Sequence, residues 1–128
     1  FNLPDDVAED SYNLLPLWLA ESERSSRRSL VHNTFKDNYA IRSEGFTLIN
    51  AKSGNQNRRM ERFNYAAWQQ KHHYVSDDHK SGQLFDMKSD STQRKNLIDR
   101  HPKKAKELKR LLKQVIEQGY SSSRLNNK

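Results

Sequence analysis

The stretch that decides the fold is residues 39–49, YAIRSEGFTLI. Two short runs rich in β-branched and aromatic residues flank a turn signal at Glu44-Gly45. Side chains alternate between the two faces of a strand, so Ile41 and Arg42 are expected on opposite faces. Strands joined by so short a connection pair antiparallel, because parallel strands need a long crossover. The stretch therefore predicts a β-hairpin.

Further strands are predicted on both sides of this hairpin. Residues 29–35 form an apolar run that ends before a turn signal at Asp37-Asn38, and residues 83–87, QLFDM, form a fourth run. The stretch between the hairpin and the fourth strand is more polar, with a short helix predicted over residues 58–70. The pattern predicts a small antiparallel sheet of about four strands.

The C-terminal segment predicts a long amphipathic helix. Pro102 suits the first helical position, and Gly119 suits the left-handed position just past the end. Apolar residues recur at the spacing of one helical face and basic residues at that of the other: Leu108, Leu111, Leu112, Val115 and Ile116, against Lys103, Lys106, Arg110 and Lys113. A short helix is also expected around Leu14–Trp18. We expect residues 1–128 to form a single α+β domain, with the sheet packed on the C-terminal helix.

Composition narrows the possible functions. The chain has 128 residues, 23 basic and 16 acidic, and a formal net charge of +7, which attracts anions such as nucleic acids, acidic lipids and sulfated glycans. The absence of cysteine excludes disulfides, thiolate metal sites and a cysteine nucleophile. Only 33% of the residues are hydrophobic, so we expect one face to pack against another polypeptide. No apolar run approaches the length of a membrane span. The first residues lack the features of a signal peptide and do not begin with methionine, which predicts a piece of a longer protein.

Three segments, taken in order, carry a family resemblance. They are residues 10–17, DSYNLLPL; residues 30–34, LVHNT, which lead into the hairpin; and residues 82–87, GQLFDM, followed by Asn96-Leu97 and His101-Pro102. They resemble the C-terminal end of arylsulfatase-type sulfatases, which typically run "EDS..LLPLL", "V-H-H-S", "AIR-x-G-x-W-K-L-I", "QLYDL-x-x-D-P-x-E-x-x-NL" and a closing helix that begins "HPE".

The chain also departs from that family pattern. Asn33 stands where a second His is common, Phe46-Thr47 replaces Trp-Lys, residues 90–93 replace the Asp-Pro-x-Glu turn, and Lys103 replaces a Glu. None of these departures touches catalytic residues.

The resemblance implies the chemistry of a larger enzyme. Such sulfatases hydrolyse sulfate esters with a formylglycine, made from the first residue of a Cys/Ser-x-Pro/Ala-x-Arg motif, and with a calcium ion that holds the sulfate. Both belong to the N-terminal catalytic domain, and this chain has no such motif. We therefore expect no catalytic residue, metal ligand or cofactor here. The expected partners are that domain and a sulfated small molecule or glycan, in the periplasm or outside the cell; no membrane partner is expected, and nucleic acid is disfavoured.

Three residues are candidates for the rim of the substrate pocket. His32 matches the first His of "V-H-H-S", and an imidazole can donate a hydrogen bond to a sulfate or sugar oxygen. Asn33 follows it, on the opposite face of the strand. Arg42 lies in the "AIR" match, and a guanidinium can bind a sulfate or carboxylate through two hydrogen bonds. The alternative for His32 is a structural or surface role. The alternative for Arg42 is a buried ion pair, and for this residue the ion pair is favoured over substrate binding.

Two rival classes of function remain open. One is a stand-alone basic module that binds nucleic acid or sulfated glycans, and the other is a structural domain without a ligand. A sulfatase subdomain predicts a large bare apolar face on the sheet, whereas a basic module predicts a concave basic patch. A local cluster of metal-capable residues is expected to be a solvated loop rather than a metal site: His72, His73, Asp77, Asp78 and His79. A second cluster, Arg58, Arg59 and Arg62, could bind an anionic glycan or could equally be ordinary solvated surface.

Overall fold

A four-stranded antiparallel sheet forms the centre of the computed structural model, which describes residues 11–33, 37–52, 65–72 and 79–121. The elements are α1 (Leu15–Trp18), β1 (Ser29–Asn33), β2 (Tyr39–Ser43), β3 (Phe46–Ile49), α2 (Tyr65–Lys71), β4 (Gln83–Asp86) and α3 (Pro102–Gln118). The strand order is β1-β2-β3-β4, and each strand pairs antiparallel with the next. The predicted α+β class, with a small sheet and a long C-terminal helix, is confirmed.

The hairpin of β2 and β3 has the predicted turn. Glu44 and Gly45 have φ angles of 50° and 82°, and Ser43 pairs with Phe46 across the turn. Positive φ at both central residues is typical of a type I′ turn, whose twist matches the right-handed twist of the flanking strands. Glycine adopts this conformation without steric cost, which explains its place after Glu44.

One face of the sheet packs on α3. Ile41, Leu48 and Leu84 lie in register across β2, β3 and β4, and each is completely buried. Leu108 and Leu112, one helical turn apart on α3, are buried in the same cluster. Burying a side chain of this size contributes roughly 1.5–3 kcal/mol. This core holds the two layers together.

The predicted boundaries of α3 are confirmed. The helix begins at Pro102, and Gly119 ends it with a φ of 78° and an N–H that donates to the Val115 carbonyl oxygen. The short helix α1, which has Pro16 in its first turn, is confirmed as well.

Three predicted boundaries differ or cannot be compared. The fourth strand ends at Asp86 rather than at residue 87, because the Asp86 carboxylate accepts from the backbone N–H of Lys88 and starts a turn. The first strand ends at Asn33, and residues 34–36 lie outside the described residues. Helix α2 covers the end of the predicted helix, whereas residues 58–64 lie outside the described residues.

The outer edge of β4 is closed by the loop before α3. The Asn96 side-chain oxygen accepts from the N–H of Leu84 at 2.9 Å, and its amide nitrogen donates to the Gly82 carbonyl at 3.1 Å. The N–H of Leu97 donates to the Leu84 carbonyl at 2.7 Å. A free sheet edge invites pairing with other chains, so these bonds protect β4 and fix the start of α3.

An ion pair ties the hairpin turn to α3. The Lys104 ammonium donates to the Glu44 carboxylate at 2.6 Å and to Glu107 at 3.1 Å. The hydrogen bond lowers the pKa of Glu44 and raises the pKa of Lys104. Because Glu44 is well exposed, this pair orients the turn more than it stabilises the fold.

We predict that Gly82→Ala destabilises the chain far more than Gly119→Ala. Gly82 has a φ of 109°, and a Cβ there would lie 2.7 Å from the backbone oxygen of Ile49. Gly119 also has a positive φ of 78°, but a Cβ there would meet nothing within 4 Å. Backbone strain alone costs about 1 kcal/mol for Gly119→Ala. We expect about 3 kcal/mol for Gly82→Ala, where a steric clash is added. Urea unfolding measures both, and equal losses would contradict this account.

Candidate substrate-facing surface of the sheet

The strand register places the three candidate side chains on two different faces. His32 pairs with Ala40, and Arg42 pairs with Leu30. These positions alternate with the buried Ile41, so His32 and Arg42 share the face that points away from α3. Because they are diagonal neighbours on adjacent strands, their Cα atoms are about 7–8 Å apart. One anionic group between them can contact both side chains.

Asn33 lies on the other face. It pairs with Tyr39, which packs against the core beneath α3, and its own side chain is exposed at the end of β1. The register thus separates Asn33 from His32 and Arg42, as the alternation of a strand predicts.

The surface formed by Leu30, His32 and Arg42, here called the β1–β2 surface, is open to solvent. All three side chains are exposed, Leu30 at 42%. No ion pair of the described residues includes Arg42, so the predicted buried ion pair is not found among them. An exposed imidazole and guanidinium above an aliphatic side chain can bind an anion attached to an apolar or sugar group.

The same face is closed over β3 and β4. Thr47, Gln83 and Phe85 are 5%, 5% and 2% exposed. The prediction of a large bare apolar face on the sheet is therefore wrong in that form. Half of the face is buried within this chain, and the open half mixes one aliphatic side chain with two cationic or polar ones.

Exposed apolar side chains occur instead on and next to α1. Leu15, Leu17, Trp18 and Leu19 are 54%, 37%, 77% and 57% exposed. The sequence pattern correctly groups apolar residues here, but this helix of four residues buries none of them. A group of exposed apolar side chains of this kind is typical of a surface that another polypeptide covers. We call it the α1 patch.

A cavity that sequence reasoning did not anticipate lies between β1 and the end of α3. It has a volume of about 340 Å³, and its wall includes Leu30, Val31 and Ile116. The Tyr12 hydroxyl donates to the Ser121 carbonyl at 2.6 Å and so holds the N-terminal segment against the end of α3. No local pattern signals this cavity, because it arises where segments distant in sequence meet.

The other predicted clusters contribute no site among the described residues. His72 stacks beside Trp68 with ring centroids 4.8 Å apart, and His79 contacts Asp99 at 3.4 Å. His73, Asp77 and Asp78, like Arg58, Arg59 and Arg62, lie outside the described residues. Within the described ranges, no three His, Asp or Glu residues are close enough to hold a metal ion, and no helix is both long and apolar enough to cross a membrane.

A solved structure with this fold is a sulfatase from Bacteroides thetaiotaomicron, designated 6S-sulf, from work on a versatile core genetic locus that orchestrates the metabolism of multiple glycosaminoglycans. The two chains match with a TM-score of 0.65 and 22% sequence identity. The match covers 89% of this chain and 21% of that chain, so this chain spans about a fifth of the sulfatase. No family model and no curated protein matches. The likeness shows that this arrangement of sheet and helix occurs within a sulfatase.

We predict that single cysteines distinguish the two faces of β1 and β2. The chain has no cysteine of its own, so an introduced thiol is unique. His32→Cys and Arg42→Cys lie on the exposed face and should react with a thiol reagent at nearly the rate of a free cysteine. Ile41→Cys lies in the core and should react only when the chain opens. Slow labelling of His32→Cys together with fast labelling of Ile41→Cys would contradict the register.

Proposed function

We propose that this chain is the C-terminal subdomain of an arylsulfatase-type sulfatase that hydrolyses sulfate esters. In this proposal, it completes the fold and the rim of the substrate pocket and is not catalytic alone. The observation that carries the proposal is the fold match, which covers nearly all of this chain but only a fifth of a sulfatase. The ordered sequence segments that resemble the end of such enzymes support it independently.

We assign contact with the substrate to the β1–β2 surface. His32 and Arg42 lie side by side on an exposed face, and neither side chain is occupied by a carboxylate among the described residues. A sulfate ester or a sugar carboxylate can accept hydrogen bonds from both. Asn33, on the other face, is assigned at most an indirect role at the end of β1.

The α1 patch supports a second part of the proposal, which is docking against a larger N-terminal catalytic domain. Trp18 is 77% exposed and is flanked by exposed leucines. Burial of these side chains against another domain would stabilise the joined protein by roughly 25 cal/mol for each Å² of apolar surface removed from water. This also fits the lean composition, because part of the apolar surface would be buried between domains.

The cofactors of the proposed enzyme do not fit this chain. It contains neither cysteine nor a Ser-x-Pro/Ala-x-Arg motif that could yield formylglycine, and its described residues form no group suited to calcium. In the proposal, both therefore belong to the catalytic domain, and no chemical step is assigned to residues of this chain. The proposed location, periplasm or outside the cell, follows from the resemblance.

We predict that His32→Ala and Arg42→Ala, made in the full-length protein, each lower kcat/KM for its sulfated substrate about tenfold or more. A hydrogen bond to a charged group contributes roughly 1.5–3 kcal/mol. KM should change more than kcat, because both side chains bind the substrate without touching the reacting atoms. Hydrolysis of 4-nitrophenyl sulfate and of sulfated disaccharides measures the effect.

Asn33→Ala is the matched control for this test. It removes an exposed polar side chain from the same strand but from the opposite face, so kcat/KM should stay within about twofold. Unchanged kinetics in both His32→Ala and Arg42→Ala would exclude the β1–β2 surface from the substrate site. A full-length protein that hydrolyses no sulfate ester would contradict the proposed function itself.

A further inference from the structure

The solvent-facing side of α3 carries a row of cations that the sulfatase resemblance does not explain. Lys103, Lys106, Arg110 and Lys113 recur three or four residues apart, and all four are exposed; we call them the basic stripe. With a rise of 1.5 Å per residue, the stripe is about 15 Å long. It lies opposite Leu108 and Leu112, so it faces away from the sheet.

The carboxylates around α3 leave most of this stripe unneutralised. Glu44 and Glu107 both contact Lys104, which lies beside the stripe rather than in it. Glu117 contacts Lys113 at 3.6 Å, and Asp99 contacts His79. Among the described residues, no ion pair includes Lys103, Lys106 or Arg110. The helix carries six basic and two acidic side chains, so over half of the net charge of +7 lies on one element.

Such a row complements a linear polyanion rather than a single small anion. The charges lie along a line on the solvent-exposed side of a helix. A polyanion laid along α3 can contact several cations at once and release its condensed counterions, which drives binding at moderate salt.

We propose that the basic stripe binds a linear sulfated glycan along α3, on the opposite side of the sheet from the β1–β2 surface. The stripe has no aromatic side chain on which a base could stack, whereas proteins that bind single-stranded nucleic acid combine cations with stacking platforms. The preference for a sulfated glycan over a nucleic acid also rests on the proposed function. In a sulfatase, such a contact would hold a long sulfated chain near the protein between cleavage events.

The test compares two triple variants of the full chain. Lys103→Gln, Lys106→Gln and Arg110→Gln together remove the three cations of the stripe that form no ion pair with any described residue. Arg24→Gln, Lys52→Gln and Lys95→Gln together remove three exposed cations outside α3, so both variants lose the same charge. Glutamine and lysine have similar helix propensities, so α3 should remain formed, which circular dichroism checks.

Binding to a heparin oligosaccharide is measured over a series of salt concentrations. The stripe variant should bind at least about tenfold more weakly than the unmodified chain, and the slope of log affinity against log salt should become shallower by about two to three. The control variant should lose about twofold or less. Desulfated heparin, which keeps only its carboxylates, should bind the unmodified chain at least about tenfold more weakly than heparin does.

Three outcomes would overturn the proposal. The first is equal binding by the stripe variant and the unmodified chain, and the second is an equal loss in both variants, which would indicate net charge alone. The third is binding of a charge-matched single-stranded DNA as tight as that of heparin, which would favour a nucleic-acid ligand. A full-length protein that hydrolyses sulfate esters although its stripe fails this test would leave the proposed function standing.

Discussion

The contact between α3 and the sheet is the constraint on which the rest of this structure depends. Leu108 and Leu112 close over a row of three completely buried side chains, Ile41, Leu48 and Leu84. The chain has few other apolar residues with which to build a core, since only a third of it is hydrophobic. Burial of this small cluster must offset the conformational entropy lost on folding, so a single well-packed seam determines the position of both layers.

This contact between α3 and the sheet also determines which surfaces of the chain remain available for binding. One face of the sheet is used for the core, and the other is divided into a buried half over β3 and β4 and an open half over β1 and β2. The open half carries His32 and Arg42. The outer side of α3, which the core does not need, carries the basic stripe. Two surfaces able to attract anions therefore lie on opposite sides of a thin, two-layer domain.

The two edge strands of the sheet, β4 and β1, have different surroundings. The outer edge of β4 is closed by Asn96 and Leu97. Their hydrogen bonds satisfy the backbone N–H and carbonyl of Leu84 and the carbonyl of Gly82. β1 lies at the other edge, beside a cavity and within the same N-terminal region as the exposed α1 patch.

Local patterns in the sequence were sufficient to predict the hairpin and α3. Residues 39–49 combine period-two alternation with a turn of the required type, and α3 shows a clear helical period between Pro102 and Gly119. The same alternation predicted that Ile41 and Arg42 face opposite sides. These features depend on residues close in sequence, which is why a single sequence reveals them.

Features that depend on distant contacts were not predictable. The bonds of Asn96 to β4 join residues more than ten positions apart, although the resemblance had singled out Asn96-Leu97 without giving a reason. In the turn after β4, the contacts are local, four and five residues apart, but their effect on the Asp90 carboxyl was not predictable either. Burial opposes ionisation of Asp90, yet the backbone N–H groups of Lys95 and Arg94 outweigh it and lower the pKa of that carboxyl. The cover over the second face of the sheet at Thr47 and Phe85 was also missed, because alternation shows which residues share a face but not whether that face is covered.

Native-state hydrogen exchange tests the central claim most directly, because it measures whether α3 and the sheet open together. If the seam holds both layers, the slowest amides of α3, at Leu108 and Leu112, and those of the sheet, at Ile41 and Leu48, should exchange with the same free energy, within about 0.5 kcal/mol. Amides of α1 should exchange through local opening at much lower free energy. Exchange of α3 at a clearly lower free energy than the sheet would contradict this account, since the sheet would then be stable without its helix.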